Sequence, residues 1–344
     1  MATRLHIVFY MRSIFSIIIS LILTSCSSFQ DLQISDKADP DAPEILLSND
    51  LNKKLTFKFI DVGQGDSTLI YASPNDAILI DAGPPEAGKN KVLPILMENH
   101  INNLRYIIAT HYHSDHIGGI PEVIRGPDDI AGTSDDIIPT KGVLDRGGDY
   151  EGSVYDAYQE STKDYRITVY PGYSFNIGTA SVEVVAANTQ VINSEQTYED
   201  LNVDENSLSI VLLVEQDGFR YLHASDITGG GGDPPYQTLD LETPIAEYVG
   251  DIDVLRVAHH GSKTSSNKDF IDITDPEIAI ISLGDDNDYG HPDTDVIESF
   301  LDNDTELYLT EAGWMDDEFY LDDAVNVENG TISISVLDGD LTIE

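Results

Sequence analysis

The 344-residue chain is long enough for one large domain or two small ones, and its hydrophobic share of 41%, slightly low, still supplies a substantial core. Its 18 basic and 62 acidic residues give a net charge of −44, a surface that repels nucleic acid and anionic membranes at low salt. Cys26 is the only cysteine, which excludes an internal disulfide and any cysteine metal ligand in the mature protein.

Arg4 and Arg12 precede the apolar run Ile14 to Leu23, too short to span a bilayer comfortably but the right length for a signal peptide. The run ends in Leu23-Thr24-Ser25-Cys26, which resembles a bacterial lipobox, with small residues leading to a lipid-modified cysteine. Residues 1–25 are therefore expected to be a lipoprotein signal peptide, with Met11 as an alternative start, and Cys26 the lipid anchor of an exported, cell-envelope protein. Residues 26–53 are polar, contain Pro40 and Pro43, and read as a flexible tether. Removing residues 1–25 takes away Arg4 and Arg12 and no acid, so the mature chain is more negative still.

The folded domain is expected over residues 54–344. Leu55 to Ile60 alternates as a strand, and Asp61-Val62-Gly63-Gln64-Gly65-Asp66 follows as a tight glycine turn. Further strands are expected at Ser67 to Tyr71 and Ala77 to Ile80, closing with Asp81-Ala82-Gly83. Pro94 suits the first turn of a helix running to His100, and the strand Tyr106 to Ala109 leads into a histidine loop. Residues 120–165 carry many turn residues and are expected to be irregular. Strands resume at 166–170, 180–186, 209–215 and 219–223. A helix from Thr243-Pro244 to Val249 precedes a strand from Val254 to Ala258. Ser266-Asn267-Lys268-Asp269 opens another helix, and strands at 278–282 and 332–336 follow. Antiparallel-looking strand runs, interspersed helices and no fixed repeat predict one mixed α/β domain.

The loop Thr110-His111-Tyr112-His113-Ser114-Asp115-His116 concentrates three imidazoles and a carboxylate. Such donors suit zinc, manganese or iron, and four so close in sequence can serve two adjacent ions. Three more histidines lie in His259-His260-Gly261-Ser262 and Gly290-His291-Pro292. Each suspected ligand follows an apolar strand, which would gather them at one rim of a sheet. Asp226 closes one such strand, and its two oxygens could bridge cations about 3.5–4 Å apart. His260, Ser262, Lys263 and Ser265 occupy a strand-to-helix turn that can offer N–H groups and a cation to an anion, although helix capping explains the serines nearly as well. His223, on the strand before Asp226, is expected to be packed rather than ligating. The acidic, glycine-punctuated loop 126–136 is a candidate calcium site, but it lacks EF-hand spacing and a solvated loop is the simpler reading.

Taken in order, these blocks resemble the metallo-β-lactamase superfamily, and within it the hydrolase domain of ComEC-type competence DNA-uptake proteins and their free-standing relatives. The resemblance runs from about Leu55 to the C-terminus, through Asp61 to Ser67, Leu79 to Gly83 and the histidine loop. It continues through Asn206-Ser207-Leu208-Ser209, Ser225-Asp226, Asp253 to Ser262 and Tyr289-Gly290-His291-Pro292. It implies a four-layer αββα sandwich with two metals at the sheet edges. Carried onto this chain, it gives His111 and His113 to the first ion and Asp115, His116 and His259 to the second, with Asp226 between them. Asp81 would orient a ligating imidazole, and His260 would stand beside the ligands rather than among them. His291 matches a position near the metals, placed to donate a proton or contact phosphate. The third histidine that the superfamily often gives the first site is missing, since none lies between His116 and His223. Asn206 and Ser209 match the Asn-x-x-Ser of this subgroup, so Asn206 is a candidate substrate contact, as are Ser262 and Lys263.

The resemblance thus implies a metal-dependent hydrolase with two divalent ions, zinc foremost and manganese or iron as alternatives. Asp226 or Asp115 would accept the proton of the attacking water. The charge balance favours a small phosphodiester or nucleotide-like substrate over long nucleic acid, which salt or divalent ions could rescue by screening. A β-lactam or thioester hydrolase is the weaker alternative, because those relatives usually carry the third histidine. A non-catalytic surface lipoprotein that uses the fold as a binding module is weaker too, because the ligand positions are intact.

Overall fold

Apolar residues alternate along most strands, so each strand has two faces to bury, and the chain solves this by stacking two sheets between helices. The computed structural model describes residues 53–194, 203–232, 237–285, 287–316, 319 and 322–344; the expected signal peptide, Cys26 and nearly all of the tether lie outside them. In the first sheet β1 (Leu55–Phe59), β2 (Thr68–Ser73), β3 (Asp76–Ile80), β4 (Asn103–Ala109), β5 (Ile138–Asp145) and β6 (Arg166–Thr168) lie side by side in chain order. The C-terminal hairpin, β16 (Ile332–Leu337) and β17 (Asp340–Ile343), extends this sheet beyond β1. The second sheet runs β7 (Ser174–Ile177), β8 (Ala180–Ala187), β10 (Val211–Gln216), β11 (Phe219–His223), β12 (Val254–Arg256), β13 (Ile278–Ile281), β14 (Glu306–Leu309) and β15 (Val325–Val327). A short β9 (Gln190–Val191) pairs with β8.

Both sheets change character midway. The first is antiparallel through β1, β2 and β3 and parallel from β3 to β6. The second is antiparallel from β7 to β11 and parallel from β11 to β15. Parallel pairing needs crossovers, and helices supply several of them. On the first sheet these are α1 (Leu93–Glu98), α2 (Ser114–Ile117), α3 (Ile120–Arg125) and α4 (Ser153–Thr162); on the second, α5 (Glu242–Val249), α6 (Lys268–Thr274) and α7 (Thr294–Leu301).

Three buried clusters define the layers. Between the sheets, Phe57, Ile78 and Ile108 meet Val184, Leu212, Tyr221 and Ile280. Outside the first sheet, Leu79, Ile107 and Val143 pack on Leu96, Ile120, Val123 and Tyr158. Outside the second, Leu222, Leu255 and Ala279 pack on Ile245, Phe270, Ile297 and Phe300. Neighbouring residues such as Val254 and Leu255 go to different clusters, as a period of two requires. This is the αββα sandwich that the sequence blocks implied. Among the described residues, no helix is long and apolar enough to cross a membrane.

The structure departs from expectation chiefly in 120–165, which holds α3, β5 and α4 and is not irregular. Pro139 and Gly142 interrupt the apolar pattern of β5, and its register against β4 shifts between Leu104 and Tyr106. Those interruptions hide a central strand, since Pro and Gly argue against one. The helix at 268 is capped by Asn267, whose side chain accepts the Phe270 N–H, rather than by Ser266.

Candidate metal centre

The functional side chains sit where parallel strands end, the rim at which open α/β sheets place ligands. Asp81 follows β3, and the loop from His111 to His116 follows β4. Asp226 lies three residues past β11, and His259 and His260 follow β12. Backbone in the left-handed region turns several of them inward: φ is 55° at Asp81, 52° at Ser225, 50° at His259 and 54° at His260. The glycine turn packs directly on the histidine loop. The Asp66 N–H donates to the Asp115 carbonyl at 3.1 Å. A Cβ on Gly65 would stand only 2.4 Å from that oxygen, so glycine is required there.

Asp226 is the hub. Its Oδ2 lies 3.3 Å from His116 Nε2, 3.6 Å from His260 Nε2, 3.8 Å from His111 Nε2 and 4.0 Å from His259 Nε2. Each of these rings has its Nδ1 beside an oxygen. His116 Nδ1 is 2.7 Å from Asp81 Oδ2, and His260 Nδ1 is 2.7 Å from the Ser282 carbonyl. His259 Nδ1 is 2.9 Å from Thr264 Oγ1, and His111 Nδ1 is 3.2 Å from Thr110 Oγ1. Such tethers orient an imidazole and leave Nε2 for a cation. Asp81 is itself fixed by the Thr110 N–H at 2.9 Å and the Thr110 hydroxyl at 2.6 Å.

The donor set fits divalent metal. His111, His116 and Asp226 form one converging group and Asp115, His116 and His260 another, each with ligand atoms within 4.8 Å of one another. His116 Nε2 and His260 Nε2 are buried without a hydrogen-bond partner, which is costly unless something else satisfies them. The electrostatics agree. Burial opposes charge on His116, yet the carboxylates of Asp226 and Asp81 raise its pKa well above the usual value. Burial likewise works against ionised Asp226, but His116 and His260 hold its carboxyl well below the usual range. His111 is pushed well down by burial and by its neighbour His116. Such a site attracts positive charge to the space between the rings.

Of the other expected residues, His113 joins the group through Nδ1, 3.0 Å from His111 Nε2. The arrangement differs from expectation at the adjacent pair after β12. His260, expected beside the ligands, points Nε2 to within 3.4 Å of Asp115 Oδ2 and belongs to the group with Asp115 and His116. His259, expected with those two residues, turns its Nε2 to the Asn206 amide at 3.1 Å. Two consecutive left-handed residues send successive rings in different directions, which spacing alone does not reveal. Asn206 is held by its neighbour: Glu205 accepts the Tyr112 N–H at 2.8 Å and pairs with buried Arg146 at 2.6 Å. His291 stacks near His260 with centroids 6.4 Å apart, and burial, then His259 and His260, draw its pKa down to about 3. His223 is packed, with Nδ1 2.9 Å from the Tyr221 hydroxyl.

A cavity of about 450 Å³ opens over the centre. Asp115, Asp226, His259, His260 and His291 reach it, together with Tyr289 of the Tyr289-Gly290-His291-Pro292 block and with Tyr150 and Tyr155, which the sequence did not single out. Ser262 and Lys263 do not line it; Ser262 Oγ turns to Thr264 Oγ1 at 3.0 Å, and Lys263 is exposed. The loop 126–136 is not among the converging donor groups of the described residues. Its Asp135 accepts the Asp128 N–H, Asp136 accepts the Gly132 N–H, and Asp129 pairs with Arg125. Two further residues went unassigned from sequence, Asp66 and Arg256, which are completely buried beneath the hub.

Residues 60–186 match the family described as Metallo-beta-lactamase superfamily. Over 235 residues, 67% of this chain and 27% of the relative, the sequence is 28% identical to Competence protein ComA of Neisseria gonorrhoeae. Over 263 residues, 70% of this chain and 30% of the relative, it is 28% identical to ComE operon protein 3 of Bacillus subtilis. The chain thus spans less than a third of the length of these curated relatives. Among solved structures, the metallo-beta-lactamase fold protein YhfI from Bacillus subtilis aligns over 75% of this chain and 98% of its own, with TM-score 0.44 and 13% identity.

Proposed function

From the premise that this chain carries a metallo-β-lactamase superfamily domain, we propose that it is an exported, two-metal hydrolase of small phosphodiesters. The observation that carries this reading is the single carboxylate oxygen of Asp226 facing four imidazole Nε2 atoms at 3.3 to 4.0 Å. His111 and His113 would hold one ion with Asp226, and Asp115, His116 and His260 the other. When bound, two divalent cations lower the pKa of a water toward ~7 and polarise the phosphoryl oxygen under attack.

The protein's own groups divide the remaining work. Asp81 and Ser282 face Nδ1 of His116 and His260, so both rings are held with Nε2 aimed at the centre, and His116 would give up its Nε2 proton on binding a cation. Asp226 is almost fully enclosed, whereas the side chain of Asp115 is 26% exposed and reaches the cavity. Asp115 is therefore the carboxylate placed to take a proton from an attacking water. His291 and Tyr289, stacked at 5.8 Å, form a wall against which the substrate is positioned.

The cavity suits a small ligand, and among the described residues no lysine or arginine lines it. Phosphate charge would be met by the metals alone, in keeping with the net charge of −44. A second reading, nucleic acid as substrate, rests on the resemblance of the sequence blocks to the hydrolase domain of competence DNA-uptake proteins. The signal-like run ending at Cys26 supports a location at the cell envelope.

The test is turnover by zinc- and manganese-loaded protein of bis(p-nitrophenyl) phosphate, single-stranded DNA, a thioester and a β-lactam. Phosphodiester hydrolysis, with DNA cleaved weakly at low salt and better with added divalent cations, is expected. Efficient DNA cleavage in low salt would overturn the preference for small substrates. Rapid thioester or β-lactam turnover without phosphodiesterase activity would overturn the reaction class. Absence of any turnover by fully loaded protein would favour the binding module.

A further inference from the structure

Beneath the hub lies a charge pair that neither the ligand positions nor the mechanism uses. Arg256, at the end of β12, is completely buried, and so is Asp66, from the glycine turn after β1. The Arg256 Nε lies 3.0 Å from Asp66 Oδ2. Its Nη1 donates to the Ser225 carbonyl at 2.7 Å and the Val257 carbonyl at 2.9 Å, and sits 3.6 Å from Asp226 Oδ1. The Ser225 carbonyl also accepts the His259 N–H at 2.9 Å. One guanidinium thus joins the residue before Asp226, the approach to His259 and His260, and the turn packed under the histidine loop.

Stability alone does not explain this pair, because a buried ion pair repays its desolvation poorly compared with apolar packing. A third cation site does not explain it either. Asp66, Asp81 and His223 converge, but the guanidinium already supplies positive charge to Asp66, and His223 Nε2 approaches the same oxygen at 3.4 Å. What the arrangement does accomplish is directional. Asp226 has one oxygen turned to Arg256 and the other to the imidazoles.

We propose that Arg256 and Asp66 form a positioning clamp that withholds one oxygen of Asp226 from the metals and aims the other between them. The inference rests on the two-metal reading of the site. It requires arginine: Nη1 donates to two carbonyls while Nε stands within ion-pair distance of Asp66 without a hydrogen bond, a spread of contacts that the single ammonium of a lysine does not reproduce. Asp66 acts through Arg256, its buried carboxylate balancing the guanidinium charge from the side opposite Asp226.

Zinc affinity of the full chain, measured by competition with a chromophoric chelator, separates positioning from mere support. The paired apolar replacement Asp66→Leu/Arg256→Met removes both charges together, so the metal-free protein should keep its circular dichroism and its cooperative melting. It should nonetheless bind zinc about 10–100-fold more weakly, the usual effect of losing a partner that orients a ligand. Arg256→Lys, which keeps the charge and loses the fork, should show the same direction of change. Wild-type affinity in folded Arg256→Lys or in the paired variant would overturn the clamp while leaving the metal site standing. A wild-type chain that takes up no zinc would overturn both.

Discussion

Replacing Asp226 by asparagine tests the hub with the smallest change of shape. The substitution removes one negative charge from a position that faces four imidazole nitrogens within 4.0 Å and is 1% exposed. Removing one partner from a buried ionic network costs ~3–5 kcal/mol, which corresponds to roughly 10²- to 10⁴-fold in a binding constant. Because Asp226 Oδ2 approaches rings from both donor groups, the loss should fall on both ions together. Asp115→Asn is the matched control, since Asp115 converges with His116 and His260 alone. Elemental analysis after dialysis against micromolar zinc should give close to two equivalents for the wild type, near zero for Asp226→Asn and near one for Asp115→Asn. Loss of a single equivalent from Asp226→Asn, or of both from Asp115→Asn, would refute the assignment of Asp226 as the shared ligand. Circular dichroism of each variant would separate metal loss from unfolding.

Glu242 provides a pH-dependent prediction away from the metals. Burial pushes its pKa up to about 8 although its oxygens accept the Ser266 and Asn267 N–H groups at 2.6 and 2.8 Å. A folded-state value above the unfolded one means that its stabilising contribution is complete below about pH 4.5 and is lost as pH rises through about 8. The stability difference between wild type and Glu242→Gln, read from denaturant unfolding, should therefore change by up to ~4–5 kcal/mol between those limits, with the wild type the more pH-sensitive; parallel curves would refute the assignment. For export, labelled fatty acid should enter the full-length protein at Cys26 and Cys26→Ser should release it from membranes, whereas equal retention of the variant would refute lipidation.

Much of the site was legible because β-strands announce their own ends. Runs such as Tyr106 to Ala109 and Tyr221 to His223 stop shortly before the donors that follow them, so the apolar pattern by itself puts His111 and Asp226 at a rim. Asp81 also closes an apolar run, but its role in orienting an imidazole came from the family resemblance and not from that pattern. What stayed hidden was orientation. Adjacent His259 and His260 differ in sequence by nothing that says which ring turns toward Asp115, since left-handed backbone at two successive non-glycine residues has no composition signal. Strand β5 was hidden by Pro139 and Gly142, which mimic a loop in a strand held from both sides by β4 and β6. The pairing of Asp66 with Arg256 joins residues far apart in the chain, and neither residue alone has a spacing that signals the other.

The position of the hub at the junction of the two sheets has a physical consequence for how the site holds together. His111 and His116 are carried by the first sheet, while Asp226, His259 and His260 are carried by the second. Direct bonds already lock these halves: the Ile210 N–H before β10 donates to the Thr110 carbonyl at 2.9 Å, and the Gly284 N–H after β13 donates to Gln64 at 3.3 Å. Cations between the rings would add a further link across the same junction, since each would be shared by donors from both sheets. Metal binding at such a place is linked to the packing of one half of the sandwich on the other, because a ligand that binds only the assembled state stabilises it by mass action. In the inter-sheet core beneath, Phe57 and Phe59 meet Tyr221 at ring distances of 4.9 and 5.9 Å, so the two halves are also joined by apolar packing. The rim is therefore both the place where the strands deliver their donors and the place where occupancy most directly reports on the fold.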